Sequence, residues 1–319
     1  MAFPGNKRFA FTIFDDTDLA TVENVGPVYE FLARCGMRTT KSVWTLAPTQ
    51  PVRIGGATLA EPAYLEFVLK LKEQGFEIAF HGATSHSATR EQTEEALERF
   101  KELVGYYPKI HCNHSMNRDN IYWGAARFGT RRWRLLYRLA TIAKDRRYEG
   151  HLPRSPYFWG DLCRKHVRYV RNLAFWEINL LNVCPAMPYH VPSMPYVNYW
   201  FTSTQAADVD AFCEAVSPEK QRQLEEEGGV SILYTHLGAG FVRNNKLDPR
   251  FCRLIEALAA RGGWFVPTSD ILDHLRSSGG GKDIRPGELA ALERRWIFGK
   301  STHHTPRRTS NEPPPGATA

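Results

Sequence analysis

Apolar and polar positions alternate along this chain in two registers. Short unbroken apolar runs are followed by longer segments in which apolar residues return every third or fourth position. The first kind reads as buried strand and the second as amphipathic helix. Residues 9–14 (Phe-Ala-Phe-Thr-Ile-Phe) form the first predicted strand. A helix over 23–35 follows, with Val25, Val28, Tyr29 and Leu32 on one stripe, and Gly36 ends it. The pattern then predicts a strand at 40–46, a helix at 62–74, a strand at 76–80 and a helix at 89–104. Thr89 and Gln92 have the spacing of a capping box in that last helix. A strand at 109–113 comes next. The stretch from about 118 to 197 has no clear period. Beyond it the pattern gives a helix within 207–226, a strand at 230–234, a helix at 248–260, a strand at 264–267 and a helix at 269–275.

So many strand–helix repeats imply parallel strands covered by helices. About 275 residues suit one α/β barrel, whose chemistry gathers at the C-terminal ends of its strands. The expected organisation is a single barrel over 1–276, a hinge at Gly279-Gly280-Gly281 with a further helix within 277–300, and a disordered tail at 301–319.

Composition narrows the class without deciding it. Apolar residues make 43% and charged residues 24% of the 319, ordinary for a globular protein, and the net charge of +7 favours anionic partners. No stretch is long and apolar enough for a membrane span. Residues 1–7 contain no apolar targeting segment, so a cytoplasmic protein is expected. The six cysteines show no C-x-x-C spacing and read as small core residues.

Candidate chemistry sits at strand ends. The first strand runs into two adjacent carboxylates, Asp15 and Asp16. His81 and His86 follow the third strand, His114 the fourth, and His236 a later one. Adjacent carboxylates repel unless a cation or shared proton relieves them. A carboxylate with two imidazoles makes a facial set for a divalent metal, and a second carboxylate with a further histidine supplies base and acid.

On these residues the chain resembles the polysaccharide deacetylase family, the NodB-homology domain, whose members remove acyl groups from N-acylated sugars. The family's first motif, T-F-D-D at a strand end, is matched by Ile13-Phe14-Asp15-Asp16. Its pair of metal-binding histidines is matched by His81-Gly82 through His86, and its late strand-end histidine by His236. The resemblance covers roughly residues 9–275. It implies a distorted (β/α) barrel, Asp15 as general base, Asp16, His81 and His86 as ligands of a divalent metal (Zn2+ first), and His236 as general acid. The family's i, i+4 histidine spacing is i, i+5 here. On a helix that places the second ring about 140° from the first, so a loop or bulge must intervene for both to reach one ion.

The polar segment holding His114, Asn117 and Asn120 stands where the family has its third motif and is expected to line the site, with His114 as a candidate replacement ligand. Arg154 and Tyr157 have that motif's composition and, with Trp159, are expected to contact sugar. Residues 127–171 hold thirteen Lys or Arg against three acids, with Trp133, Leu136, Tyr137 and Ala140 at helical spacing. Such a segment suits an anionic membrane face or an anionic head group, and nucleic acid is not expected. A cytosolic member would act on an N-acylated sugar precursor on an anionic carrier. The alternatives are a hydrolase of a small non-sugar amide, or a catalytically silent barrel that binds glycan.

Overall fold

A computed structural model describes residues 3–114, 116–141 and 147–302. Its centre is a closed barrel of seven parallel strands in sequence order. They are β1 (Ala10–Asp15), β2 (Thr40–Val43), β3 (Glu77–Phe80), β4 (Ile110–Cys112), β5 (Tyr169–Phe175), β6 (Tyr199–Gln205) and β7 (Val230–Thr235). The helices are α1 (Val22–Arg34), α2 (Pro62–Glu73), α3 (Arg90–Val104), α4 (Arg131–Thr141), α5 (Gly160–His166), α6 (Val209–Ala215), α7 (Pro218–Glu227), α8 (Pro249–Ala260), α9 (Thr268–Ser277) and α10 (Pro286–Thr302). The expected distorted (β/α) barrel is present.

Local chemistry explains the clearest elements. The predicted stripe of α1 is buried, and Phe31 joins it. Thr21 and Asn24 close a capping box on α1, as Thr89 and Gln92 do on α3. Gly105 ends α3 in the left-handed region at φ 92°, where a side chain would be strained.

Two expectations need correction. The single helix expected within 207–226 is two, because Pro218 has no N–H to continue α6; Ser217 caps a new helix there instead. The strand expected at 264–267 shrinks to one bridge between Trp264 and Ala10. Only Phe14 and Asp15 of β1 pair with β2, and Trp264 supplies the partners of Phe9 and Phe11 at the other end.

The aperiodic middle holds β5 and β6. β5 has a register shift between Arg171 and Ala174, which matters at the site. Here too is α4, which turns Trp133 and Tyr137 inward. The Trp133 indole donates to Ala290 of α10, and Tyr137 packs on Phe128 and Trp296. Leu135, Leu136 and Leu139 of α4 stay outside, at 58%, 49% and 61% exposure. α10 is anchored by the buried Glu293, whose carboxylate accepts the Gly129 and Thr130 N–H groups at 2.6 and 3.2 Å. Nearly all of the tail expected at 301–319 lies outside the described residues. Among the described residues no helix is long and apolar enough to cross a membrane.

Candidate functional site

The two adjacent carboxylates are relieved by different cations. Asp15 is fully buried, and its Oδ2 accepts from Lys41 Nζ at 2.8 Å and from Tyr29 Oη at 2.9 Å. Its Oδ1 accepts the Leu237 N–H at 2.8 Å, so its carboxylate ties β1 to β2, α1 and the loop after β7. Asp16 faces the other way, into a two-pronged pair with the Arg171 guanidinium. Burial pushes its carboxyl up, but Arg171, followed by His81, outweighs burial and holds it below the ordinary carboxylate range. Arg171 in turn lies over the Tyr234 ring at 4.3 Å.

Two residues further on stands Asp18. Its carboxylate lies 3.3 Å from His81 Nε2, 3.6 Å from His114 Nε2 and 3.3 Å from His236 Nε2. Each imidazole is aimed by a partner on its other nitrogen. His81 Nδ1 contacts Cys112 Sγ at 2.8 Å and Ser42 Oγ at 3.3 Å. His114 Nδ1 meets Asn117 Oδ1 at 3.3 Å, and His236 Nδ1 meets the Ala207 carbonyl at 2.7 Å. Holding one ring nitrogen so that the other is presented is how proteins orient metal-binding histidines.

Asp18 Oδ1, His81 Nε2 and His114 Nε2 are buried, yet have no hydrogen-bond partner among the described residues. Their separations permit attraction, but their geometry does not make hydrogen bonds. Buried polar atoms are rarely left so. Three that converge, one on a carboxylate and two on imidazoles, fit a divalent cation. A second grouping brings ligand atoms of Asp16, His81 and Cys112 within 4.8 Å of one another. It is the poorer donor set, because Arg171 occupies both oxygens of Asp16 and burial pushes the Cys112 thiol up.

The remaining expected residues fall in several places. His86 turns away from the cluster, its Nε2 meeting the Thr49 N–H at 3.0 Å and the Thr49 hydroxyl at 3.2 Å. The loop between His81 and His86 therefore does not bridge the i, i+5 spacing. Asn117 and Asn120 are buried supports. Asn117 holds the His114 ring, and Asn120 donates to the His114 carbonyl. Trp159 is also buried, with its indole donating to Asp119 O at 2.6 Å, so it has no face to offer a sugar. Tyr157 lies under the Arg118 guanidinium at 4.3 Å. Arg154 lines a neighbouring cavity and not the one holding the histidines.

The histidine cavity has a volume of about 320 Å³. Asp16, Asp18, His81, His114, Arg171 and His236 line it together with Trp123, Arg127, Asn172, Tyr234 and Trp296. Arg171 and Asn172 are successive residues, and a regular strand would send them to opposite faces. The irregularity of β5 lets both reach the cavity. Asp18, Arg171 and Arg127 were not legible as site residues. The one signal for Asp18 is the acidic repeat Asp16-Thr17-Asp18, and the two arginines lie in the stretch without periodicity.

No family model and no curated protein matches the sequence. Solved structures match its shape. A protein assigned as a polysaccharide deacetylase from Mycobacterium smegmatis superposes with a TM-score of 0.52 at 14% identity, covering 90% of this chain and 97% of its own. Another with that assignment, from Pseudomonas aeruginosa PAO1, gives 0.51 at 13% identity, covering 87% and 94%. At such identities the likeness concerns the fold alone: this chain shares the barrel fold of these two proteins.

Proposed function

We propose that this protein is a metal-dependent hydrolase that removes an N-acyl group, acetyl first of all, from a carbohydrate or carbohydrate precursor. The observation that carries this is the unpartnered Asp18–His81–His114 set beside an arginine-paired carboxylate at the mouth of the barrel. Asp18, His81 and His114 would hold the ion, and a carboxylate with two imidazoles favours zinc. Such an ion, when bound, polarises an amide carbonyl and acidifies water.

The other groups have separable tasks. Asp16, kept ionised by Arg171, takes the proton of the water that attacks the amide carbon. His236, fixed through its Nδ1 on the Ala207 carbonyl, presents Nε2 to the cavity. Burial pulls its imidazole pKa down, but Asp18 and then Asp16 more than offset this and raise it. Its Nε2 is thereby placed to deliver a proton to the leaving amine as the C–N bond breaks. Asp15, fully buried against Lys41 and Tyr29 and not part of the cavity lining as Asp16 is, serves the frame of the site and does not act as the base.

The test is metal analysis of protein purified without added metal, together with amine release from a panel of N-acetylated sugars. A near-stoichiometric ion and amine release are expected. An empty protein that stays inert when zinc is supplied would sink the proposal and leave the silent glycan-binding barrel.

A cavity of about 320 Å³ lies at the small end of ligand pockets. It suits one acylated ring or a small amide better than a length of polymer, which keeps the small-amide hydrolase as the second reading. The exposed leucines of α4, beside Arg131, Arg132 and Arg138, support peripheral contact with an anionic membrane.

A further inference from the structure

Arg127 is a buried cation in the histidine cavity that the proposed reaction does not use. Its side chain lies between two indoles, 3.9 Å from the Trp123 ring and 4.6 Å from the Trp296 ring. Nε donates to Asn172 Oδ1 at 3.1 Å and one terminal nitrogen to the Asn172 carbonyl at 2.9 Å. The other terminal nitrogen, Nη1, has no hydrogen-bond partner, and no carboxylate pairs with the guanidinium, among the described residues. Arg171, the cavity's other guanidinium, is committed to Asp16.

A buried charge without a counter-charge costs several kcal/mol unless something compensates it. Two aromatic faces and one asparagine compensate in part. Burial lowers the guanidinium only to about 10, so it stays charged at neutral pH. Among the described residues the cation is therefore held in place without a carboxylate to pair it, and it lines the cavity assigned to the substrate.

A second observation points the same way. Trp123 also lines a neighbouring cavity of about 590 Å³, into which Arg138, Arg147 and Arg154 project. The acid of that cavity, Glu149, is engaged by Arg118 at 2.6 Å and by Ser155 at 2.6 Å. The space next to the site is therefore cationic as well.

We propose that Arg127 forms an anion subsite, so that the substrate carries a phosphate or carboxylate group beside its N-acyl group. This rests on reading the histidine cluster as the reaction centre. Planar two-pronged binding of such oxygens is what arginine does better than lysine.

The test is calorimetric binding to the full-length, metal-loaded protein. N-acetylglucosamine is compared with its 1-phosphate and 6-phosphate, and glucose with glucuronate, so that the two arms identify the anion. One charge-assisted contact should make an anionic sugar bind about tenfold or more tightly than its neutral counterpart. In Arg127→Met that ratio should fall toward one, and Arg127→Lys should restore part of it. A wild-type protein that binds neutral and anionic sugars alike overturns the proposal without any variant. A preference that survives Arg127→Met also overturns it, because the anion then sits on the metal. Binding is read apart from turnover. An Arg127-dependent preference without amine release would keep the subsite and remove the deacetylase, whereas amine release without the preference would do the reverse.

Discussion

At the scale of single residues, the site is a problem in sharing out charge. Three carboxylates lie within four positions, and the fold gives Lys41 to Asp15 and Arg171 to Asp16. Asp18 receives only imidazoles, and this separates the three by their surroundings. Asp18→Asn and His114→Ala should each lower bound metal well below one equivalent by elemental analysis, while His86→Ala should leave it full. A full equivalent in Asp18→Asn would mean that the ion sits elsewhere. Asp16→Asn should keep its metal and lose about 10²- to 10⁴-fold in kcat, the usual worth of a positioned base. Lys41→Met leaves Asp15 buried without its cation, and breaking a buried pair on one side costs about 3–5 kcal/mol. Urea unfolding measures this, and a loss under about 1 kcal/mol would show that the pair is incidental.

At the scale of elements, α10 and α4 are one construction laid against the β5 side of the barrel. Glu293 reaches from α10 to the N–H groups at the start of α4, where a negative charge also meets the positive end of the helix. Glu293→Leu strands those amides in a buried setting and should cost about 1–3 kcal/mol by denaturant melt. Because Trp296 lines the histidine cavity from the same helix, the variant should also raise KM. A melt unchanged within error would mean water replaces the carboxylate. The outward leucines of α4 belong to this scale too. Vesicles containing anionic lipid should bind the protein at low salt, and Leu136→Glu with Leu139→Glu should abolish the binding. Binding indifferent to lipid charge, salt and both substitutions would remove the membrane contact.

At the scale of the whole molecule, one buried acid links stability to pH. Burial pushes the Asp119 carboxyl up to about 7, while its Oδ1 accepts the Ala88 N–H at 3.0 Å. The folded state thus holds that proton more tightly than the unfolded chain, whose carboxyl titrates near ~4. Its contribution is complete below that range and fades as pH rises through about 7. Asp119→Asn keeps the acceptor and removes the charge, so it should raise Tm more at pH 8 than at pH 5. Equal shifts at both values would show that Asp119 is not the linked group.

The sequence by itself determined the elements whose faces differ in polarity. α1 showed its apolar stripe and α3 its capping box in plain view, and β1 ended visibly in carboxylates. β5 and β6 were hidden because the inside of this barrel is partly polar: Thr202, Ser203 and Thr204 of β6 are buried, and Arg171 and Asn172 of β5 face the cavity. Alternation of apolar and polar residues cannot mark such a strand. Only the tertiary structure decided which carboxylate meets which histidine. Spacing treats Asp15, Asp16 and Asp18 alike, and likewise His86 and His114. Thr49 turns one histidine out and Asn117 holds the other in. Lys41 and Arg171, far apart in the chain, occupy the first two acids and leave Asp18 to the histidines. Convergence of side chains from separate strand ends is a property of closed-barrel geometry, and no local pattern along the chain encodes it.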